Sequence, residues 1–172
     1  MQNKIPGYTL ELSHVEYGET KVFCILGATG VGKSSLANSL CGHVNLFKTS
    51  ADLKSETTEV TGVLVQMKKH GMFGTKCNVL VLDTPGQGDS EGRDQVQIKK
   101  IIEALKTVKY VHSFIIVLNS LDPRLDDGKQ EQLRQLCRIF GAQRFQANVI
   151  VCFTHWSSDN KSEILRKSGI QM

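Results

Sequence analysis

The amino-acid sequence predicts a three-layer, doubly wound α/β fold with a mostly parallel sheet and one antiparallel strand at the sheet edge. Four short apolar runs end in turn residues, segments with helical spacing separate them, and a glycine-rich loop joins the first run to the first helical segment. Apolar runs of this kind are typical of parallel strands that are buried on both faces. In such folds a ligand binds at the carboxyl ends of the strands.

The four apolar runs are expected to form the parallel strands. They read KVFCILG, NVLVLDT, SFIIVLN and NVIVCFT. A further segment, EVTGVLVQMKK, alternates apolar and polar residues as a half-exposed strand does. The segment HGMFGTK follows it and supplies two glycines for a turn into the second apolar run, so these two strands are predicted to be the antiparallel pair.

Three helices are expected between the strands, because apolar residues recur there three or four positions apart and would share one face. These residues are Leu36 and Leu40 in the first helix, Ile98, Ile101, Ile102 and Leu105 in the second, and Leu133, Leu136, Cys137 and Phe140 in the third. The predicted order is strand, helix, strand, strand, helix, strand, helix, strand.

Length and composition indicate one domain. A chain of 172 residues with 40% hydrophobic residues is long enough to bury one core. We expect a single domain over 1–172, with 1–20 as an N-terminal extension or an extra strand. Only 157–172 follow the last motif, so we expect a C-terminally truncated fragment that lacks the last strand and helix of this fold. The run Asn148–Thr154 would then be a sheet edge.

Composition excludes several classes of protein. The longest strongly apolar run, Phe114–Leu118, is far shorter than the roughly 20 residues that span a bilayer. The N-terminus lacks the layout of a secretory signal, and the five cysteines show no metal-type spacing. We therefore expect a cytoplasmic protein whose membrane anchor, if it has one, lies outside this chain. The net charge of +4 is scattered, which argues against nucleic acid as a partner.

The strongest chemical signal is GATGVGKSS, which fits GxxxxGK[ST] between a strand and a helix. Its glycines let backbone N–H groups turn inward as a nest for phosphate oxygens at the positive end of the helix. Lys33 is expected to reach the β and γ phosphates, and Ser34 to bind Mg²⁺. The predicted phosphate-binding residues are Gly27, Thr29, Gly30, Val31, Gly32, Lys33, Ser34 and Ser35.

A second motif, DTPG, places Asp83 and Gly86 after the next apolar strand. A carboxylate there can hold Mg²⁺ through a water, and the Gly86 N–H can contact a γ phosphate. Between the two motifs, SADLKSETTEVT has the length and position of a loop that closes on Mg²⁺. We assign Thr58 to the metal, with Thr57 as the alternative; a plain polar loop is the competing interpretation.

These motifs, in this order, resemble those of regulatory GTPases rather than kinases or motor ATPases. The stretches GATGVGKSSLANSLCG, DTPGQGDS, HSFIIVL, DPRLDDGKQEQLRQLCRIFG and VIVCFTHW are similar to the septin, Toc and GIMAP group, and GIMAP-type (immune-associated) proteins are the most similar. The resemblance runs from Val22 to Trp156. It implies a P-loop GTPase domain that binds GTP or GDP with Mg²⁺, hydrolyses GTP slowly and dimerises through its nucleotide face.

In the resembling group, a Thr-led loop replaces the Asn-Lys-x-Asp motif that reads guanine in other GTPases. Thr154 and His155 fit this variant, and Trp156 is either a cover for the base or a hydrophobic plug. The fourth position is Ser157, whose single hydroxyl cannot accept the two guanine N–H groups that an aspartate accepts together. Either Asp159 or a backbone group reads guanine, or the preference for guanine is weakened.

The resemblance also assigns residues to hydrolysis. Gln87 stands where Ras-type GTPases carry their water-orienting glutamine, although the resembling group more often has an apolar residue there. Thr29 replaces a glycine of Ras-type loops and obstructs an inserted arginine finger, so slow hydrolysis is expected. Arg93 and Arg124 are candidates for an arginine supplied across a dimer. The predicted catalytic residues are Lys33, Gln87 and Thr58.

The leading hypothesis is a guanine-nucleotide switch with Mg²⁺ and GTP or GDP as ligands and a homodimer as the assembly. One alternative is an assembly module in which the nucleotide is a structural cofactor that is not hydrolysed. Another is an adenine-nucleotide enzyme with the same phosphate loop.

Overall fold

Five strands and four helices make up the part of the chain that the structure describes. The structure is a computed structural model, and it describes residues 20–43, 45–49, 57–68, 76–86, 91–108, 110–121 and 127–156. Strands β1 to β5 span Thr20–Leu26, Thr61–Lys68, Lys76–Asp83, Ser113–Asn119 and Val149–Thr154. Helices α1 to α4 span Lys33–Leu40, Glu91–Thr107, Asp127–Phe140 and Ala142–Ala147.

The sheet has the order β2-β3-β1-β4-β5. Strand β1 pairs in parallel with β3 on one side and with β4 on the other, and β4 pairs in parallel with β5. Strand β2 runs antiparallel to β3, with Thr61 opposite Asp83 and Lys68 opposite Lys76. The predicted parallel sheet with one antiparallel edge strand is confirmed. The chain forms β2 and β3 on one side of β1 and then β4 and β5 on its other side. The carboxyl end of β1 therefore lies at the switch point where such folds bind ligands.

The core lies on both faces of the sheet, since successive side chains of a strand point to opposite faces. One face packs against α2, α3 and α4, and its buried residues include Cys24, Leu80, Ile101, Leu105, Leu136 and Phe145. The other face packs against α1 and the segment after it, and its buried residues include Ile25, Ala37, Phe47, Val81 and Val117. The predicted three layers are therefore confirmed.

Helix α4 is the one element of the described residues that the sequence does not predict. It is six residues long, too short to display a helical stripe, and Gly141 separates it from α3 with a φ of 79°. Its Phe145 is buried and lies 4.9 Å from Phe114, measured between ring centroids. The helix therefore completes the core beside β4 through one aromatic residue.

Strand β5 pairs with β4 alone among the described residues. The residues that bear on the expected N-terminal extension and on the expected truncation, 1–19 and 157–172, lie outside the described residues, so both expectations stay predictions. Within the described ranges, none of the helices combines the length and the apolarity that crossing a membrane would need.

Asn38 fastens the segment after α1 to that helix. Its side chain is buried, and its Oδ1 accepts hydrogen bonds from the backbone N–H groups of Leu46 and Phe47, each at 2.9 Å. Its Nδ2 donates to the carbonyl of Phe47, also at 2.9 Å. These bonds hold the buried Phe47 ring in the core.

Asn38→Ala is expected to lower the free energy of unfolding by about 2 kcal/mol, because three backbone groups lose their hydrogen-bond partner. Urea unfolding of the nucleotide-free chain measures this change. Ser39→Ala is the matched control: Ser39 lies on the same helix, and its exposed hydroxyl bonds only the carbonyl of Ser35 among the described residues. Equal unfolding midpoints for the two variants would contradict the role of Asn38.

Candidate functional site

Four segments meet at the carboxyl ends of the central strands. They are the loop between β1 and α1, the residues after β3, Thr57 before β2, and the end of β5. We call the first of these, 27–32, the phosphate loop.

The phosphate loop packs directly against the end of β4. Gly27 has a φ of 152°, and a Cβ atom at this position would lie 2.5 Å from the carbonyl oxygen of Val117. Any side chain would collide with that backbone, so glycine is required. The loop ends at Gly32, whose carbonyl accepts the first helical hydrogen bond from Leu36. No side chain among the described residues caps α1, which leaves its first N–H groups for a ligand.

Lys33 brings a buried cation to the phosphate loop. The side chain is only 6% exposed, and its Nζ donates a 2.8 Å hydrogen bond to the carbonyl of Ala28. The ammonium is thus bound to the phosphate loop, and Lys33 itself is the first residue of α1. A cation and a helix N-terminus together favour a multiply charged anion such as a polyphosphate.

Ser34, Asp83 and Thr57 form an oxygen-rich cluster beside the phosphate loop. The Ser34 hydroxyl donates to Asp83 Oδ2 at 2.7 Å. The Thr57 hydroxyl lies 3.4 Å from the Ser34 hydroxyl and 3.5 Å from Asp83 Oδ2. We call Ser34, Thr57 and Asp83 the oxygen cluster.

The structure brings Thr57, and not the predicted Thr58, to the oxygen cluster. Thr58 is exposed, and its carbonyl accepts a hydrogen bond from Lys100 of α2. Lys100 also bonds the exposed Glu59 carboxylate, and the residue before Thr58 is the one whose hydroxyl lies near Ser34. The structure therefore favours Thr57, the alternative, over Thr58 as a metal ligand, and the roles of both residues in metal binding and catalysis stay predictions.

The oxygen cluster has the donor atoms that Mg²⁺ prefers. Asp83 is 1% exposed, and its Oδ1 has no hydrogen-bond partner among the described residues. A buried carboxylate oxygen without a partner is costly, and a cation or its water would satisfy it. Two hydroxyls and one carboxylate suit Mg²⁺, which commonly uses one or two carboxylates together with substrate phosphates. The described residues hold no group of three or more His, Cys, Asp or Glu that would form an all-protein metal site.

Burial governs the ionisation of Asp83. Loss of solvent raises the pKa of its carboxyl above the ordinary value of 3.8, while the Ser34 hydrogen bond and the Lys33 charge act in the opposite direction. The carboxylate is therefore held in a site that does not fully stabilise its charge. An added cation at the oxygen cluster would supply the missing stabilisation.

The residues after β3 lie against the phosphate loop. The buried Thr84 hydroxyl donates to the carbonyl of Ile25 at 2.7 Å, which ties the end of β3 to the end of β1. Two residues later, a Cβ atom on Gly86 would lie 2.5 Å from the Cα of Thr29. Only glycine allows the two backbones to approach this closely.

The end of β5 is tied to the phosphate loop by side chains that the sequence predicts. The Thr154 hydroxyl donates to the carbonyl of Val31 at 2.5 Å and lies 3.2 Å from the carbonyl of Leu118. His155 Nε2 lies 3.3 Å from the carbonyl of Gly30. The first two residues of the predicted base-reading loop, Thr154 and His155, therefore lie directly against the phosphate loop.

The backbone of this loop is strained at His155, which has a φ of 53°. Ser120, at the end of β4, donates its hydroxyl to the carbonyl of His155 at 3.0 Å and helps to hold this conformation. Trp156 is 58% exposed, so it is not a buried plug. The His155 ring lies beside the phosphate loop, and both rings are exposed.

Several predicted site residues lie outside the described residues. They are Gln87, Arg124, Ser157 and Asp159, and the side chain of Arg93 in α2 is not described either. Their roles stay predictions.

The structure also adds residues that the sequence pattern does not single out. Thr84, Lys100 and Ser120 each form a hydrogen bond with another strand, helix or loop. Of these three residues, only Thr84 lies within a recognisable motif, DTPG.

Comparison with known families identifies the chain. The AIG1 family matches residues 21–167, which is most of the sequence. The chain belongs to the AIG1 family. This membership confirms the resemblance to the group that contains the GIMAP-type and Toc proteins.

Curated relatives agree with the AIG1 assignment. Immune-associated nucleotide-binding protein 13 from Arabidopsis thaliana is 30% identical over 136 residues, covering 78% of this chain and 38% of that protein. Translocase of chloroplast 132, chloroplastic, from the same plant is 31% identical over 137 residues, covering 78% of this chain and 10% of that protein. The AIG1 chain thus spans well under half the length of these relatives.

Solved structures agree with the fold. One structure concerns the chloroplast translocon components atToc33 and psToc159, for which dimerization is described as important for GTPase activity. It matches 88% of the AIG1 chain and 59% of its own chain, with a TM-score of 0.60 and 22% sequence identity. At this identity the likeness supports the doubly wound fold alone.

Proposed function

We propose that this AIG1-family chain binds GTP and GDP with Mg²⁺ and hydrolyses GTP slowly. The observation that carries the proposal is the meeting of Lys33 with the oxygen cluster at the uncapped start of α1. A cation and free N–H groups on one side and hydroxyl and carboxylate oxygens on the other suit a magnesium-bound polyphosphate. The family and the names of its relatives support a nucleotide as the ligand.

The phosphate loop would bind the phosphate chain through its backbone. The N–H groups at the start of α1 would donate to the phosphates, and the Lys33 ammonium would leave the Ala28 carbonyl to reach the terminal phosphates. Gly86 lies against Thr29 at the edge of the loop, where its N–H would contact a γ phosphate. A nucleoside diphosphate lacks this last contact, so the position of Gly86 would differ between the two nucleotides.

The oxygen cluster would hold Mg²⁺ through Ser34, Thr57 and Asp83. When bound, Mg²⁺ supplies positive charge that offsets the charge developing on the phosphates. Ser34 would release its hydrogen bond to Asp83 in order to offer its oxygen to the metal. Asp83 would hold the metal through its carboxylate, directly or through a water.

Guanine would be read by the end of β5. The Thr154 hydroxyl bonds the Val31 carbonyl, so it holds the loop in place and is not free to read the base. His155 and Trp156 are exposed beside it and would cover the base face. Asp159 or a backbone group would then accept the guanine N–H groups, as expected from the sequence.

Slow hydrolysis would follow from the crowded surface around Thr29. Its Cα lies so close to Gly86 that an arginine inserted over the phosphate loop in the Ras manner would meet both residues. Gln87 would orient the attacking water. A homodimer through the nucleotide face would supply any missing group, and the importance of dimerization for the Toc components supports this assembly. A cytoplasmic location is proposed with it.

The proposal is tested by calorimetric titration of the nucleotide-stripped chain with GDP and with ADP, each with Mg²⁺. We expect GDP to bind about 100-fold tighter than ADP, because a site that pairs with guanine N–H groups rejects adenine. Trp156 is the single tryptophan of the chain, so its fluorescence should change with GDP and stay constant with inorganic pyrophosphate.

Equal binding of GDP and ADP would contradict guanine recognition, and no binding of either would contradict the proposal as a whole. Measurable GDP binding without any GTP turnover, in monomer and dimer alike, would favour the assembly module in place of the slow GTPase.

A further inference from the structure

Lys100 of α2 binds the chain immediately before β2 at two points. Its Nζ donates to the backbone carbonyl of Thr58 at 2.9 Å and to Glu59 Oε1 at 2.5 Å. The Lys100 side chain is 32% exposed and that of Glu59 is 66% exposed. One ammonium group thus holds a backbone atom and a carboxylate of adjacent residues.

The residue next to this contact is Thr57 of the oxygen cluster. Its hydroxyl lies within 3.5 Å of both Ser34 Oγ and Asp83 Oδ2. The Thr58 carbonyl belongs to the peptide unit between Thr58 and Glu59, and only the φ and ψ angles of Thr58 separate it from the peptide unit that joins Thr57 to Thr58. Holding this carbonyl therefore limits where the Thr57 side chain can lie. A bond to that carbonyl therefore fixes the backbone from which Thr57 reaches the oxygen cluster.

Helix α2 follows the second motif in the chain. It begins at Glu91, shortly after Gly86, whose backbone lies against Thr29 of the phosphate loop. Lys100 is thus a direct link between the helix that follows the second motif and the residue beside Thr57. Within the described residues, the Lys100 ammonium joins α2 to the segment before β2 by charge-assisted hydrogen bonds.

We propose that Lys100 is a positioning residue that holds Thr57 at the magnesium site and couples the placement of α2 to the engagement of Thr57. The inference rests on the proposed function, since it concerns the same site. Coupling of this kind is reciprocal: a ligand that fixes Thr57 stabilises the bound position of α2, and a displaced α2 releases Thr57.

An ordinary surface ion pair is the competing interpretation, because exposed pairs contribute little. Two observations favour the positioning role. The acceptor is a backbone carbonyl, so the bond does not cost the conformational entropy of a second side chain. This carbonyl also lies one residue from the oxygen cluster. The adjacent Lys99 is exposed and makes no hydrogen bond or ion pair within the described residues, so it offers a matched control.

The first test compares Lys100→Met, Lys100→Arg, Glu59→Gln and Lys99→Met. The readout is Mg²⁺ affinity of the chain loaded with a non-hydrolysable GTP analogue, beside analogue affinity without Mg²⁺. Lys100→Met is expected to weaken Mg²⁺ binding about five- to tenfold, as for loss of one charge-assisted hydrogen bond, with analogue affinity nearly unchanged. Lys100→Arg should restore most of the loss, and Lys99→Met should match the unsubstituted chain.

Glu59→Gln separates positioning from charge pairing. It removes the carboxylate and keeps the Lys100 bond to the Thr58 carbonyl, so its effect on Mg²⁺ affinity should stay below about twofold. A loss as large as that of Lys100→Met would show that the ion pair is the whole interaction, and would overturn the inference.

A second readout needs no nucleotide. In the stripped chain, Lys100→Met should speed amide hydrogen exchange of a peptide covering 57–66 at least about threefold and leave a peptide from β4 unchanged, since the opening is local. Unchanged exchange, with Mg²⁺ affinity equal to that of Lys99→Met, would overturn the inference. Failure of the unsubstituted chain to bind GTP would instead refute the proposed function, and the exchange result would still decide whether Lys100 holds this segment.

Discussion

Lys33→Met is expected to weaken GTP binding about 1,000-fold, because it removes charge-assisted hydrogen bonds to the phosphates and leaves the buried Asp83 without its neighbouring cation. Lys33 is 6% exposed in the structure, so the methionine, which has a similar length, would fill its space and preserve the fold. Calorimetric titration with GTP at fixed Mg²⁺ measures the loss.

Lys106→Met is the control for this substitution. Lys106 is an exposed residue in the last turn of α2, so its replacement removes the same charge from the surface, away from the phosphate loop. Its GTP affinity should equal that of the unsubstituted chain. If Lys33→Met retains GTP affinity within about tenfold while both variants stay folded by circular dichroism, Lys33 does not bind phosphate.

The parts of the fold that sequence predicts are those with a local cause. The parallel strands are visible because burial on both faces demands continuous apolar runs, and β2 is visible because one half-exposed face demands alternation. Helix α4 is missed because six residues with one buried aromatic ring show no period. Its existence depends on Phe145 meeting Phe114 of β4, which no local pattern contains.

The same distinction applies to the site. The phosphate loop is predictable because all of its requirements, such as the absence of a Cβ at Gly27, fall within one short stretch. The choice between Thr57 and Thr58 is not predictable, since it depends on how the chain before β2 lies against Ser34 of α1 and Asp83 of β3. The bond from Thr154 to Val31 likewise joins residues 123 positions apart, and it exists only because β5 and the phosphate loop meet at one edge of the sheet.

Asp83→Asn is expected to have opposite effects on ligand binding and on stability. The variant should bind Mg²⁺ about 100- to 1,000-fold more weakly in the presence of GTP, because the cluster loses its single carboxylate. The nucleotide-free variant should be at least as stable as the unsubstituted chain at neutral pH, because burial raises the pKa of the Asp83 carboxyl and its charged form therefore opposes folding.

The pH dependence of unfolding distinguishes this explanation from a structural role. A carboxyl whose pKa is raised in the folded chain binds more protons when folded than when unfolded. The unsubstituted chain should therefore gain stability from Asp83 as the pH falls through the raised pKa toward 3.8, and the difference from Asp83→Asn should shrink. Urea unfolding in EDTA at several pH values measures this difference. If Asp83→Asn were clearly less stable than the unsubstituted chain at pH 8 without ligand, the carboxylate would be a structural hydrogen-bond acceptor. If it is as stable or more stable, the buried charge of Asp83 opposes folding of the empty chain and has its use in binding the metal.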